Sequence, residues 1–199
     1  MRGVEHDAPH YLHQQPVPGE ERFLSLALVN TRFALSHGQV DLLEDTDAAR
    51  LWLVRHELLP DRTVLSGRQA GRARALREAL RELFATRAEG AVPAPSALAT
   101  LNAALAAAPP TPRLVWTGRE PHRADEPDTA NPVGAALCAL AEDGAELLTG
   151  DDAGRLAPCG APGCTRWFLR SHAARRWCTT KCGNRVRAAR HYAARKSSG

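Results

Sequence analysis

The chain has 199 residues and a mass of 21.5 kDa, is 44% hydrophobic and 24% charged, and so has room for one ordinary domain plus a small appendage. No apolar stretch approaches the ~20 residues of a membrane helix, and residues 1–20 lack an apolar h-region; membrane and exported classes are set aside, and a cytoplasmic protein with reduced thiols is expected. The net charge of +4 hides an uneven distribution, because residues 153–199 hold 11 Lys and Arg and no Asp or Glu, while the first 152 residues carry −7.

In chain order, residues 1–20 are Pro- and His-containing with little apolar content and read as a disordered leader. Residues 21–36 form an apolar run compatible with a helix or with a buried strand passing into a helix. Asp45 or Thr46 can cap a helix reaching Leu59, with Leu51, Trp52, Val54, Leu58 and Leu59 on its inner side and Pro60 as its stop. Ser66 and Gln69 fit a capping box ahead of a long helix whose inner face is Ala73, Leu76, Leu80, Leu83 and Phe84. Its outer face alternates Arg and Glu, with Arg74, Glu78 and Arg81 spaced to pair, and reads as a solvated surface.

After a linker at 88–95, Ser96 caps a shorter helix bearing Leu98, Leu101 and Leu105. Residues 113–117 (RLVWT) are the best strand candidate, and the polar, Pro-containing segment 118–132 reads as a loop. Helix returns over 133–148, with Gly144 as a weak point, and 149–158 forms a flexible junction. The fold class expected is mainly α (α+β with a small sheet): a helical domain over 21–150, then a four-cysteine module with a terminal helix over 153–199.

Cys138, set among Ala136, Leu137 and Leu140, reads as a buried structural thiol. The other four cysteines form two close pairs, Cys159/Cys164 and Cys178/Cys182, with thirteen residues between the pairs. Two pairs at tight turns can bring four thiolates onto one Zn²⁺, and soft sulfur favours that ion over Mg²⁺ or Ca²⁺. Disulfides or unrelated thiols are the alternatives. All four positions would be sulfur and the tail has no carboxylate side chain, so one structural zinc is expected and no catalytic water. Within 159–182 only Trp167, Phe168, Leu169 and Trp177 are sizeable apolar groups. They are expected to pack around the ion, whose binding would supply most of the folding energy.

Residues 183–196 are free of Pro and rich in helix formers. At 100° per residue, Arg187, Arg190, His191 and Arg195 gather on one face, with Val186, Ala189 and Ala193 on a separate strip expected to lie against the tryptophans. Arg175, Arg176 and Arg185 extend the positive surface. Guanidinium groups suit phosphate and guanine edges, so DNA is the expected partner, with RNA binding or a zinc-stabilised protein-interaction module as alternatives.

The stretch 175–185 (RRWCTTKCGNR), preceded by Cys159, Cys164, Trp167 and Phe168, resembles the bacterial CGNR zinc finger. Phe23, Leu24, Leu26, Val29, Asn30, Thr31 and Arg32, followed by Asp41–Leu42, Trp52–Leu53, 76–79 (LREA) and Leu101–Asn102, resemble the domain that usually precedes it, one proposed to be a stress-induced transcription regulator. The resemblance runs from about Phe23 to Arg195. It implies zinc binding and a proposed DNA-binding regulatory role; no enzyme is expected, because the sequence carries no Gly-rich phosphate loop, triad spacing or open metal site. Arg170 stands where members of the family often carry Asp, and the loop before Arg175 is short. Asn30, Arg32 and Asn102 are candidates to line a pocket for a small-molecule effector, or a protein partner, in the N-terminal domain; buried polar groups that knit the fold are the alternative. Target sequence and oligomeric state are not encoded in any motif.

Overall fold

The computed structural model describes residues 16–35 and 38–197. The expected leader over 1–15 lies outside those residues, but 16–20 are packed: Val17 is buried, and Pro18 accepts a hydrogen bond from the Leu169 amide. The body is built on α1 (Leu24–Val29), the hairpin β1 (Arg32–Leu35) and β2 (Gly38–Asp41), α2 (Thr46–Arg55), α3 (Gly67–Glu89) and α4 (Pro95–Leu105). A second hairpin, β3 (Thr111–Thr117) and β4 (Glu120–Glu126), leads to α5 (Pro132–Thr149). The C-terminal module holds β5 (Leu156–Pro158), β6 (Trp167–Leu169) and α6 (Thr180–Ser197). The architecture is therefore mainly helical with three separate two-stranded sheets.

Helix α3 organises the body. Ser66 and Gln69 close the capping box at its start, and Gly90, at φ +69°, supplies the left-handed residue that ends it. Its apolar face (Leu76, Leu80, Leu83, Phe84) packs with Leu26 and Leu28 of α1, Leu101 of α4 and Leu137 and Leu140 of α5. Where α5 crosses α3 a side chain would collide: a Cβ at Gly144 would stand 2.4 Å from Leu80 Cδ2. Gly144 is thus a close-approach point and not a weakness in the helix. Asp143, one residue earlier, accepts from the Leu24 and Ser25 amides and so caps α1 from a distant part of the chain.

Several expectations change in detail. The apolar run 21–36 is a short helix followed by a strand. Helix α2 stops at Arg55, and Leu51 and Leu98 lie on exposed faces, because the neighbouring positions Trp52, Leu53 and Leu101 already fill the core. Segment 118–132 contains β4, which carries no apolar alternation because both of its faces are largely solvated. The 149–158 junction is ordered: Ala153 is buried in a short 3-10 turn, and Asp152 pairs with Arg22 and Arg155.

The outer face of α3 is only partly solvated. Arg77 is 2% exposed and is bound by both carboxylate oxygens of Asp41, by the Thr31 hydroxyl and by Glu78. Glu78 also pairs with Arg32. Arg81 donates to the carbonyls of Val29, Arg32 and Thr165. These arginines stitch α3 to the first hairpin and to the C-terminal module.

Candidate metal centre and basic helix

The first cysteine pair sits on a turn in which the Cys164 amide donates to the Ala161 carbonyl, and Gly163 takes φ +71°. The second pair enters α6. Thr179 is the cap of that helix, its hydroxyl accepting from the Cys182 amide, so Cys178 lies just before the helix and Cys182 in its first turn. One backbone bond, Cys159 N–H to the Arg166 carbonyl, closes the first knuckle, and a second, Gly160 N–H to the Arg176 carbonyl, fixes it against the second pair. The Cys178 amide also donates to Cys159 Sγ at 3.4 Å.

The four sulfurs lie within 4.8 Å of one another, with Cys164 to Cys178 at 3.8 Å and Cys178 to Cys182 at 3.7 Å. A tetrahedral ion about 2.3 Å from each sulfur requires sulfur–sulfur edges of about 3.8 Å. The donor set therefore fits zinc in both softness and spacing. Hydrogen bonds from the Cys164 and Cys178 thiols draw the Cys159 thiol far below its ordinary range. The bond to Cys159 correspondingly drives Cys164 and Cys178 upward. Zinc would take these groups as thiolates, so loading the site would release cysteine protons.

Strand β6 joins this centre to the body. Alternation along three residues sends Trp167 and Leu169 into the body core and Phe168 into the cysteine cluster, which also contains Val17, Ala157 and Val186. Of the four apolar groups expected around the ion, Phe168 and Trp177 pack beside the sulfurs; Trp167 instead meets Phe84 edge-on, with ring centroids 6.1 Å apart. Asn30 clamps the same strand, its amide donating to the Trp167 carbonyl and accepting from the Trp167 amide. Glu20, which also receives the Asn30 amide, is pushed above its ordinary pKa by burial.

Of the arginines expected at a nucleic-acid surface, Arg175 is turned inward: it donates to the Trp177 and Cys178 carbonyls and lies over the Phe168 ring. Arg187 donates to Asn184 and lies over Trp177, with its side chain at the surface. Arg176, Arg185, Arg190, His191 and Arg195 are exposed and make no ion pair among the described residues. Only Val186 of the expected apolar strip is covered; Ala189 and Ala193 are exposed, as are all residues from Arg187 to Lys196, because the module ends beneath the second turn of α6. About 15 Å of helix therefore projects beyond its support.

Asn30, Arg32 and Asn102 are not brought together. Asn30 is buried under β6, Arg32 pairs at the surface with Gln39 and Glu78, and Asn102 faces solvent on α4. The cleft between α3, α4 and α5, lined by Arg72, Leu76, Thr100 and Leu137 among others, includes none of the three. Three contributors had little sequence signal. Val17 stands alone in a polar segment, and Arg77 and Arg81 look like surface residues by spacing. Thr179, four residues ahead of the helix-forming run, is a residue type that caps helices and was recoverable from the sequence.

A helical domain carrying a closed four-sulfur centre and a projecting basic helix defines a zinc-finger protein with no open metal position. Residues 155–195 match the CGNR zinc finger, and residues 23–151 match the family described as "Putative stress-induced transcription regulator". The chain belongs to that family, with the zinc finger as its C-terminal part. Neither is an enzyme family. No curated protein matches the chain. No helix among the described residues is long and apolar enough to cross a membrane.

Proposed function

We propose that the protein is a DNA-binding transcription regulator in which Cys159, Cys164, Cys178 and Cys182 hold one structural zinc, and α6 contacts the duplex. The observation that carries this reading is the acid-free helix: anchored at one end by the cysteine cluster through Val186, it presents Arg187, Arg190, His191 and Arg195 at the surface. A helix of this diameter fits a major groove about 12 Å wide. Arg176 and Arg185 flank it as phosphate contacts. Arg175 serves instead by holding the knuckle carbonyls in place. The N-terminal domain is the regulatory half, coupled to the finger through Asn30, Arg81 and Trp167.

Fluorescence anisotropy on the zinc-loaded protein tests this reading. Binding to duplex DNA weakens steeply with salt, because each neutralised phosphate contributes about −0.9 to the slope of log K against log[salt]. Replacing Arg187, Arg190 and Arg195 with Gln lowers the magnitude of that slope by about 2–3 while zinc content stays at one equivalent. Salt-insensitive binding, or a slope untouched by the triple substitution, removes the helix from the interface. Stronger competition by single-stranded or structured RNA than by duplex transfers the assignment to RNA.

A further inference from the structure

The hairpin β3–β4 stands outside both cores: it forms a sheet with no third strand, and none of its residues belongs to either buried cluster. Register places Pro112 opposite Asp125, Leu114 opposite Arg123 and Trp116 opposite Pro121, and these six side chains share one face. All six are exposed, with Leu114 at 73% and Trp116 at 66%. A two-stranded hairpin is marginal in water without a covered face, and a contiguous Pro–Leu–Trp–Pro surface marks an interaction site. The two prolines lack the amide donors that strand addition needs, so the contact is by the face and not by the edge.

We propose that this face is the self-association surface of the protein: two copies stack their β3–β4 hairpins face to face across a twofold axis. Charge selects the occupant. A twofold contact must be complementary to itself. The C-terminal module at +11 and the acidic remainder each repel their own copies, whereas the hairpin over 111–126 carries three Arg and three acidic residues and is neutral. On the apolar face itself Arg123 and Asp125, 3.6 Å apart, supply one charge of each sign, so a second copy offers each its opposite. The hairpin's zero net charge, with Asp125 on the apolar face itself, gives a nucleic acid no positive patch to bind. Trp116, Leu114, the prolines and the Arg123 stem offer on the order of 500 Å² per copy, about 1,000 Å² in all, at the lower end of specific interfaces. The dimer is accordingly weak and concentration-dependent.

Sedimentation velocity of the full zinc-loaded chain from about 1 to 200 μM provides the test, in the range where an interface of this size exchanges. The wild type moves from monomer toward dimer as concentration rises. Trp116→Glu and Leu114→Glu stay monomeric throughout with unchanged melting temperature and zinc content, since among the described residues this face belongs to neither buried cluster. Asp125→Arg weakens the dimer at least tenfold, and adding Arg123→Asp to it restores association by reversing both charges. A wild type that is monomeric at 200 μM, a dimer indifferent to Trp116→Glu, or a face covered instead by another protein or by residues 1–15 overturns the proposal.

Discussion

Two polar residues tie distant segments of this chain together. Asn30 imitates a strand partner, offering one donor and one acceptor to the backbone of Trp167. Asn30→Ala leaves both of those backbone groups buried without partners, and urea unfolding is expected to show a loss of about 2–4 kcal/mol. Asp41 is the second. Burial alone would raise its pKa, but the paired hydrogen bonds from Arg77 hold the carboxyl below its ordinary 3.8. A depressed carboxylate contributes stability above its unfolded pKa and loses that contribution as pH falls through the folded value. Asp41→Asn should therefore cost about 2–3 kcal/mol at pH 7, less than a fully buried pair because Asp41 is partly solvated. The gap between variant and wild type should narrow as pH falls below the ordinary 3.8 and close beneath the lowered folded value.

At the level of elements, what could be read from the sequence depended on whether an element carries its own pattern. Helix α3 announces itself through its capping box and 3.6-residue apolar stripe, and the cysteine spacing gave the metal cluster with no knowledge of the fold. The alternating EPHRADE of β4 carries no such pattern, because a strand solvated on both faces has no apolar period to display. Arg77 was equally opaque: at helical spacing it sits beside Glu78 and Arg81, and only the approach of Asp41 from the first hairpin buries it. The unsupported half of α6 leads to an expectation of its own. With Val186 seated on the cysteine cluster and the residues from Arg187 to Lys196 all exposed, the helix depends on the metal for its nucleus. A strong chelator should remove most of the α6 signal from the circular dichroism at 222 nm. It should also lower the melting temperature of the body by several degrees, because Trp167 and Leu169 lose the strand that holds them in place. A body whose melting is unchanged by chelation would mean that β6 stays docked without the ion.

For the molecule as a whole, charge is sorted by role. If the finger binds DNA as proposed, the acidic remainder would hold the body off the polyanion, the +11 module would face it, and the neutral hairpin would be left to meet its own kind. Two helices presented by a weak dimer would engage two half-sites, so that occupancy of a paired site would rise more steeply with protein concentration than occupancy of a single one. The strand β6 sets a further condition. Its middle side chain belongs to the sulfur cluster and the two beside it belong to the helical core, so the two halves of this chain are not interchangeable parts. A finger grafted from another protein would arrive with its own residues at 167 and 169, and those would have to fill a cavity shaped by Phe84 and the loop around Asn30. Any exchange between relatives must therefore carry that matching wall along with the cysteines.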